Sequence, residues 1–158
     1  MNQEKSNGMN KVKEKIDFEN IVSKYKANKK QYPDRYIDFC KQQKSLVDAI
    51  EVAAKSINAQ NKIHSHQRRI GRLTLNIFAE LLKTKEEEIS LAKSFDKLLS
   101  IILSVRLAGV GELAYYDIST RIAAYLKLNI ENVYMHAGTR KGARELLGNK
   151  INGKKLFL

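Results

Sequence analysis

Five of the eight glycines lie between Gly109 and Gly148, where their spacing is suited to anion binding. Gly109 and Gly111 flank Val110 in a glycine turn (residues 107–111) between two apolar segments. Glycine permits the positive φ angles of a tight reversal and lets a phosphate approach bare backbone. The amides of Val110, Gly111 and Glu112 would stand at the positive end of the next helix, where an anion is stabilised. We therefore predict phosphate binding at this turn; the alternative is a plain connection between two core helices.

A second basic segment lies further along the chain. Thr139 is followed by Arg140, Lys141 and Arg144, with a glycine on either side of the first two cations. With Thr139 as N-cap, the first turn of a helix here would be a second candidate anion site. The Gly-Lys-Ser/Thr ending of a Walker loop is missing, so nucleotide hydrolysis is not predicted. The alternative is an exposed basic helix start.

A basic stripe is predicted on the helix expected from Gln67 to Leu82. Helical geometry, at about 100° per residue, places Arg68, Arg69 and Arg72 on one side of this helix. These side chains have the reach to meet phosphates. The opposite, buried side is predicted to consist of Ile70, Leu73, Ile77 and Leu81.

Histidines and tyrosines are the remaining candidates. His64 and His66 could bind an anion, or a metal ion together with His136, but no cysteine or carboxylate accompanies them in sequence. A closed metal site needs about four such ligands, so we predict no metal and no cofactor. The residues that could stack on bases or form a pocket are Tyr115, Tyr116, Tyr134 and His136. Tyrosines at such helical positions are more often at the edge of a core.

The composition limits the class of protein. The chain has 158 residues, 43% of them apolar, with one proline and one cysteine. These values exclude collagen-like, disulfide-stapled and low-complexity proteins. No apolar run has the length of a membrane span or a signal peptide, so we expect a cytoplasmic protein that does not enter a membrane. Cys40 is expected to be an inert buried thiol.

The net charge of +12 indicates an anionic partner. The stretch from Val52 to Ala79 contains basic residues and no carboxylate. Nucleic acid is the favoured partner. The alternatives are a charge that serves only solubility, an anionic membrane surface and an acidic protein.

Periodicity predicts an all-α fold without a strand. We expect a flexible N-terminus over residues 1–10, one compact multi-helix domain over 11–148 and a loose basic tail over 149–158. Expected N-caps are Ser45, Thr84, Ser94 and Thr139. In the helix predicted over 12–27, Ile16, Ile21, Val22 and Tyr25 are expected to face the core. Further helices are predicted from Pro33 onward, over 46–57, over 67–82, after Thr84, over 95–105, over 112–126, and from Thr139 to a point before Gly148.

The segment from Ser104 to Leu113 resembles the helix-hairpin-helix motif of DNA-binding proteins. An apolar helix end, a Leu-x-Gly-Val-Gly turn and a new helix succeed one another, and the resembling element covers about residues 95–127. Ala108 stands where the motif usually has proline, and Tyr115 where a small residue is typical. The resemblance implies contacts between the turn and a DNA backbone phosphate.

The order of elements up to Gly148 also resembles that of helix-hairpin-helix DNA glycosylases, which carry a Val-Asp-Thr-His-like stretch with a catalytic aspartate. This chain has Val133-Tyr134-Met135-His136 at a similar distance, followed by a basic segment. Tyr134 therefore occupies the aspartate position, and no aspartate follows Asp117. Because a neutral phenol cannot stabilise a sugar cation or activate water, the resemblance implies DNA-binding architecture without the activity.

The sequence thus predicts a binding module that contacts double-stranded DNA mainly through phosphates, without sequence specificity. It would use the glycine turn, the segment after Thr139 and the basic stripe. One alternative is a divergent glycosylase or lyase that uses Glu112, Asp117 or His136 as acid or base, or a lysine as nucleophile. Another is an adaptor that binds an acidic protein.

Overall fold

The computed structural model describes residues 17–31, 33–147 and 155–157. The chain divides into two compact units, Met1–Pro33 and Asp34–Leu158. The described elements are α1 (Phe18–Gln31), α2 (Arg35–Lys41), α3 (Leu46–Ala54), a 3-10 turn (Ser65–Gln67), α4 (Arg72–Lys83), α5 (Glu86–Ser90), α6 (Phe95–Ser104), α7 (Glu112–Leu126), β1 (Asn132–Tyr134), α8 (Ala137–Leu147) and β2 (Lys155–Phe157). The all-α class is confirmed, with one helical domain in the second unit. Among the described residues, no helix combines the length and apolar character needed to cross a membrane.

Helix α1 is the described element of the first unit. It begins after Asp17, whose carboxylate accepts the amide of Asn20 at 3.0 Å. The prediction that Ile21, Val22 and Tyr25 face a core is wrong, because all three side chains are exposed. The predicted helix start at residue 12, the position of Ile16 and the flexible residues 1–10 lie outside the described part of the chain.

Side-chain caps fix the starts of three helices in the second unit. Asp34 accepts the amides of the two residues that open α2 after Arg35, at 2.9 and 3.2 Å. Ser45 and Ser94 each accept the amide three residues on, at 3.1 and 3.2 Å, and both predicted caps are confirmed. Thr84 does not cap α5: its hydroxyl donates to the carbonyl of Leu81 at 2.7 Å, and α5 begins after Lys85.

Helix α7 lies at the centre of the core and packs against α2, α3 and α6, while α3 also packs against α4. Ile118 and Ile122 on α7 have no exposed surface. Cys40 on α2 is buried as predicted, and its thiol donates to the carbonyl of Ala49 at 3.4 Å. Burial raises the pKa of Cys40 to about 12, so the sulfur stays a neutral thiol at pH 7.

The buried face of α4 differs from the predicted one. The helix begins at Arg72, after Gly71 at a φ of +84°, and it buries Leu75, Phe78, Ala79 and Leu82. The predicted core residues Leu73, Ile77 and Leu81 are exposed, with Leu73 at 74%. The sequence has apolar residues on both sides of this helix, and packing against α3 selects one of them.

Two short strands that were not predicted, β1 and β2, form an antiparallel ribbon on either side of α8 in the sequence. Strand β1 pairs with β2, with Val133 opposite Leu156. Residues 155–157 are therefore part of the fold and not a loose tail, whereas 148–154 and 158 lie outside the described residues. Helix α8 is described up to Leu147, and its predicted end before Gly148 falls at the limit of the described residues.

Candidate functional site

The glycine turn connects α6 to α7, whose bounds agree with the predicted helices to within one residue. Gly109 has a φ of +87°, as expected for a tight reversal. Gly111 is different: its φ is −94°, so only Gly109 needs a glycine for backbone reasons. The amide of Val110 donates to the carbonyl of Leu107 at 3.2 Å and is thus not oriented for an anion, contrary to prediction. The amides of Glu112 and Leu113 at the start of α7 are left for an anion, since the amide of Ala114 donates to the carbonyl of Gly111 at 2.9 Å.

Tyr115 holds the glycine turn in place from inside the protein. Its hydroxyl donates to the carbonyl of Val105 and accepts the amide of Leu107, both at 3.2 Å. The ring is 8% exposed and contacts Phe78 edge-on, with ring centroids 5.4 Å apart. The ring of Tyr115 therefore supports the turn, in agreement with the alternative of a tyrosine at the edge of the core.

A cleft of about 710 Å³ opens beside the glycine turn. Helices α6, α7 and α8 and the segment after β1 all contribute to it. Six of the predicted site residues thus share one cavity: Val110, Gly111, Tyr115, Tyr134, His136 and Arg140. The lining residues are Leu99, Leu103, Arg106, Leu107, Ala108, Val110, Gly111, Glu112, Tyr115, Tyr116, Tyr134, Met135, His136 and Arg140.

One wall of the cleft is aromatic. The ring of Tyr116 lies 5.5 Å from that of Tyr134 and 5.9 Å from that of His136, measured between centroids. Phe95 supports both tyrosines from the core, at 5.8 and 5.2 Å. All three wall residues are half-buried, so their rings are fixed by packing while part of each surface faces the cleft. Such a wall can hold a flat, apolar ring by stacking.

The polar groups of the cleft favour an anion. Arg140 donates from Nη2 to the carbonyl of Met135 at 3.0 Å. Its buried Nε has no hydrogen-bond partner among the described residues. Arg106 supplies a second, exposed cation, and Glu112 is the one carboxylate among the lining residues that the structure describes. No lysine is among them. The charged side chains that line the cleft are therefore two cations and one carboxylate, which leaves a net positive charge for an anionic ligand.

The segment around Thr139 is organised differently from the prediction. Helix α8 begins at Ala137, and Thr139 lies inside it, where its hydroxyl is 3.0 Å from the carbonyl oxygen of Tyr134 and 3.1 Å from that of His136. Thr139 therefore ties α8 to β1 and does not cap the helix. Lys141 and Arg144 are exposed and lie outside the cleft, three residues apart on the same helix.

The basic stripe is not a single helical face. Arg68 and Arg69 follow the 3-10 turn, and only Arg72 belongs to α4. All three side chains are exposed. Arg72 donates to the carbonyl of Asn61 at 3.0 Å and to its side-chain oxygen at 3.4 Å, so part of its donor capacity is already used.

The histidines separate into two places. His136 lines the cleft, whereas His64, His66 and Asp117 form a histidine cluster on the 3-10 turn and α7. Asp117 Oδ2 lies 3.0 Å from His66 Nδ1, and the ring of His64 meets that of His66 edge-on at 4.6 Å between centroids. Burial lowers the pKa of His64, and the nearby charge of Arg121 lowers it further, so this imidazole is neutral at pH 7.

A buried arginine stands behind the histidine cluster. Arg121 is 3% exposed and donates to Ser56 Oγ at 3.0 Å, to Gln67 Oε1 at 3.2 Å and to the carbonyl of Ala53 at 3.4 Å. Gln67, also fully buried, links Arg121 to Asp117, because its side-chain amide donates to Asp117 Oδ2 at 2.7 Å. Burial lowers the pKa of Arg121 below its ordinary value, and the negative charge of Asp117 offsets part of this shift. The guanidinium also lies over the ring of Tyr36, 5.6 Å from its centroid.

Sequence reasoning missed Gln67, Asp117 and Arg121 as one network. The spacing of Asp117 and Arg121 places both on one face of α7, which is a signal that could have paired them. Gln67 lies about fifty residues earlier, so its role is visible only in the fold. No protein-family model matches this chain, and no curated protein or solved structure shows significant similarity to it.

Proposed function

We propose that this protein binds double-stranded DNA without sequence specificity, mainly through backbone phosphates. The observation that carries the proposal is that the glycine turn and Arg140 line one cleft together with an aromatic wall. A nucleotide offers the complementary chemistry, since it joins an anionic phosphate to a flat ring. The first turn of α7 supplies amides for the phosphate, and the wall formed by Tyr116, Tyr134 and His136 suits a base that is extruded from the duplex.

The charge of the chain supports the same partner. Beyond the cleft, the exposed cations Arg68, Arg69, Lys141 and Arg144 can meet further phosphates without a requirement for particular bases. The formal net charge of +12 favours encounter with any polyanion. The resemblance of the α6–α7 region to a helix-hairpin-helix element agrees with a phosphate contact at the glycine turn.

A catalytic role has weaker support. Asp117, one of the carboxylates considered as an acid or base, is bonded to His66 and Gln67 in the histidine cluster. Glu112 and His136 both line the cleft, and they are the residues on which a divergent glycosylase or lyase would depend. Tyr134 stands where that resemblance would require an aspartate. We therefore favour binding over base release.

Binding and chemistry are separated by one experiment. The full chain is mixed with duplex, single-stranded, mismatched and abasic DNA and with duplex RNA, and both complex formation and strand integrity are measured in the same samples. We expect binding to duplex DNA with no released base and no nick, even at high protein excess. Base release or cleavage that disappears in Glu112→Gln or His136→Ala would contradict the binding module. Absence of binding to every nucleic acid would favour an acidic protein as partner.

The glycine turn offers a matched pair of variants. Gly111→Val is compatible with the backbone at a φ of −94°, and nothing lies within 4 Å of an added Cβ, so the fold should persist. Its side chain would cover the first amides of α7. Because a hydrogen bond to a charged group contributes about 1.5–3 kcal/mol, DNA affinity should fall about tenfold or more.

Gly109→Ala is the matched control for backbone strain. A φ of +87° disfavours a side chain by about 1–2 kcal/mol, so this variant should lose stability. Thermal unfolding followed by circular dichroism measures that loss, and fluorescence anisotropy measures DNA affinity for both variants. A Gly111→Val protein that is folded and binds DNA with unchanged affinity would refute phosphate binding at the turn.

A further inference from the structure

We propose that the histidine cluster binds one divalent transition-metal ion of the zinc type. The ligand atoms that His64, His66 and Asp117 offer all lie within 4.8 Å of one another. Three atoms at such spacings have a common point within about 2.8 Å of each, and zinc bonds to nitrogen and oxygen are about 2.0–2.2 Å long. Shifts of less than about 1 Å per ligand would therefore complete the coordination.

One pair of ligands already has the required separation. His66 Nδ1 and Asp117 Oδ2 are 3.0 Å apart, close to the spacing of about 3.3 Å between two ligands of a tetrahedral zinc ion. In the metal-free protein the proton on the imidazole bridges the two atoms. An ion would take the place of this proton between the two atoms, and the neutral imidazole would then carry its proton on Nε2, which faces away from the ion.

His64 joins the ion by a modest rearrangement. Its Nδ1 now accepts the amide of His66 at 3.2 Å, a bond on the exposed side of the 3-10 turn. Coordination through this nitrogen would exchange that bond for one to the ion, and water could then satisfy the amide, whereas coordination through Nε2 would leave the bond in place. Edge-on contacts with Tyr36 and His66, at 4.7 and 4.6 Å between centroids, keep the ring of His64 beside the other two ligands.

The surrounding charges suit a divalent ion. The carboxylates of Asp117 and Asp34 and the guanidinium of Arg121 all act on His64. With neutral imidazoles, these three groups leave one net negative charge. The guanidinium is directed to other acceptors, the carbonyl of Ala53, Ser56 Oγ and Gln67 Oε1.

An outer partner already orients the carboxylate. Gln67 donates to Asp117 Oδ2 at 2.7 Å and is itself held by Arg121. Hydrogen bonds of this kind to ligating groups are typical of protein metal sites. The side chain of His66 is 51% exposed, so an ion here would keep an open position toward solvent, available to water or a phosphate oxygen. This inference stands independently of DNA binding, because none of its ligands lines the cleft.

Metal titration of the untagged full chain, stripped with a chelator, tests the proposal. Co²⁺ is followed by its visible absorption, and Zn²⁺ by calorimetry and by displacement of Co²⁺. We expect one ion per chain. Each of His64→Ala, His66→Ala and Asp117→Asn should weaken binding at least about tenfold, since loss even of an outer partner costs 10–100-fold in other sites.

The chain contains a matched control in its third histidine, His136, which lies in the cleft. His136→Ala should bind the ion as the wild type does. Circular dichroism checks the fold of every variant, and His66→Ala stays decisive if Asp117→Asn unfolds, because His66 is largely exposed. The proposal fails if the wild type binds no ion at millimolar concentration, or if His136→Ala lowers the affinity as much as the cluster variants do.

Discussion

The affinity for duplex DNA is expected to fall about 250- to 1000-fold between 50 and 200 mM salt. If four to six cations meet phosphates, the slope of log affinity against log salt is roughly −4 to −5, because each contact contributes about −0.9. The side chains available for these contacts are Arg68, Arg69, Arg106, Arg140, Lys141 and Arg144. Fluorescence anisotropy at a series of salt concentrations measures the slope.

Variants that each remove one cation test which side chains contribute to the salt slope. Lys141→Gln and Arg144→Gln remove exposed cations of α8, and each should reduce the magnitude of the slope by about 0.9 if its phosphate contact exists. Lys93→Gln removes an equally exposed cation outside the proposed contacts and is the control. A slope near zero for the wild type would reject the nucleic-acid proposal, whatever the affinity at low salt.

The Arg121→Ala variant is expected to lose about 3–5 kcal/mol of unfolding free energy, because buried acceptors lose a charged hydrogen-bond donor at about 1–3 kcal/mol each. The substitution leaves the oxygens of Ala53, Ser56 and Gln67 without the donor that they share. It also removes the group that packs over the Tyr36 ring. Urea unfolding followed by circular dichroism gives the difference.

Two further variants interpret that loss. Arg121→Lys keeps the charge but loses the planar fork that reaches three acceptors, so we expect a smaller loss than for alanine. Arg68→Ala removes an exposed arginine and should change stability by less than about 0.5 kcal/mol. If Arg121→Ala proved as harmless as Arg68→Ala, the buried network would contribute little to the fold.

Local chemistry was predictable from the sequence. Ser45 and Ser94 cap helices because a hydroxyl needs only the amide three residues on. The start of α7 at Glu112 follows from the glycines that precede it. The same reasoning failed for Thr139, because a carbonyl outside the helix, that of Tyr134, lies within reach of its hydroxyl. Competition between local and distant acceptors is decided by the tertiary fold.

Longer-range arrangements could not be predicted in this way. Helix α4 has apolar residues on two sides, so periodicity alone could not decide that Phe78 and not Ile77 would be buried. His66 and Asp117 meet across fifty-one positions of sequence. The absence of a neighbouring carboxylate in sequence led to the expectation of no metal site, and the fold supplies that carboxylate from α7.

The double hydrogen bond of the Tyr115 hydroxyl has a consequence for the rate of ligand capture. Fixing the backbone of one residue costs roughly 1–2 kcal/mol of conformational entropy. Because the Tyr115 hydroxyl fixes the backbone at Val105 and Leu107, this entropy is lost when the protein folds and not when a ligand binds. A preorganised loop adds little ordering cost to association. Capture of a phosphate should then be limited by diffusion and electrostatic steering and not by loop rearrangement. Tyr115→Phe would make the same loop order itself at each encounter, which slows association.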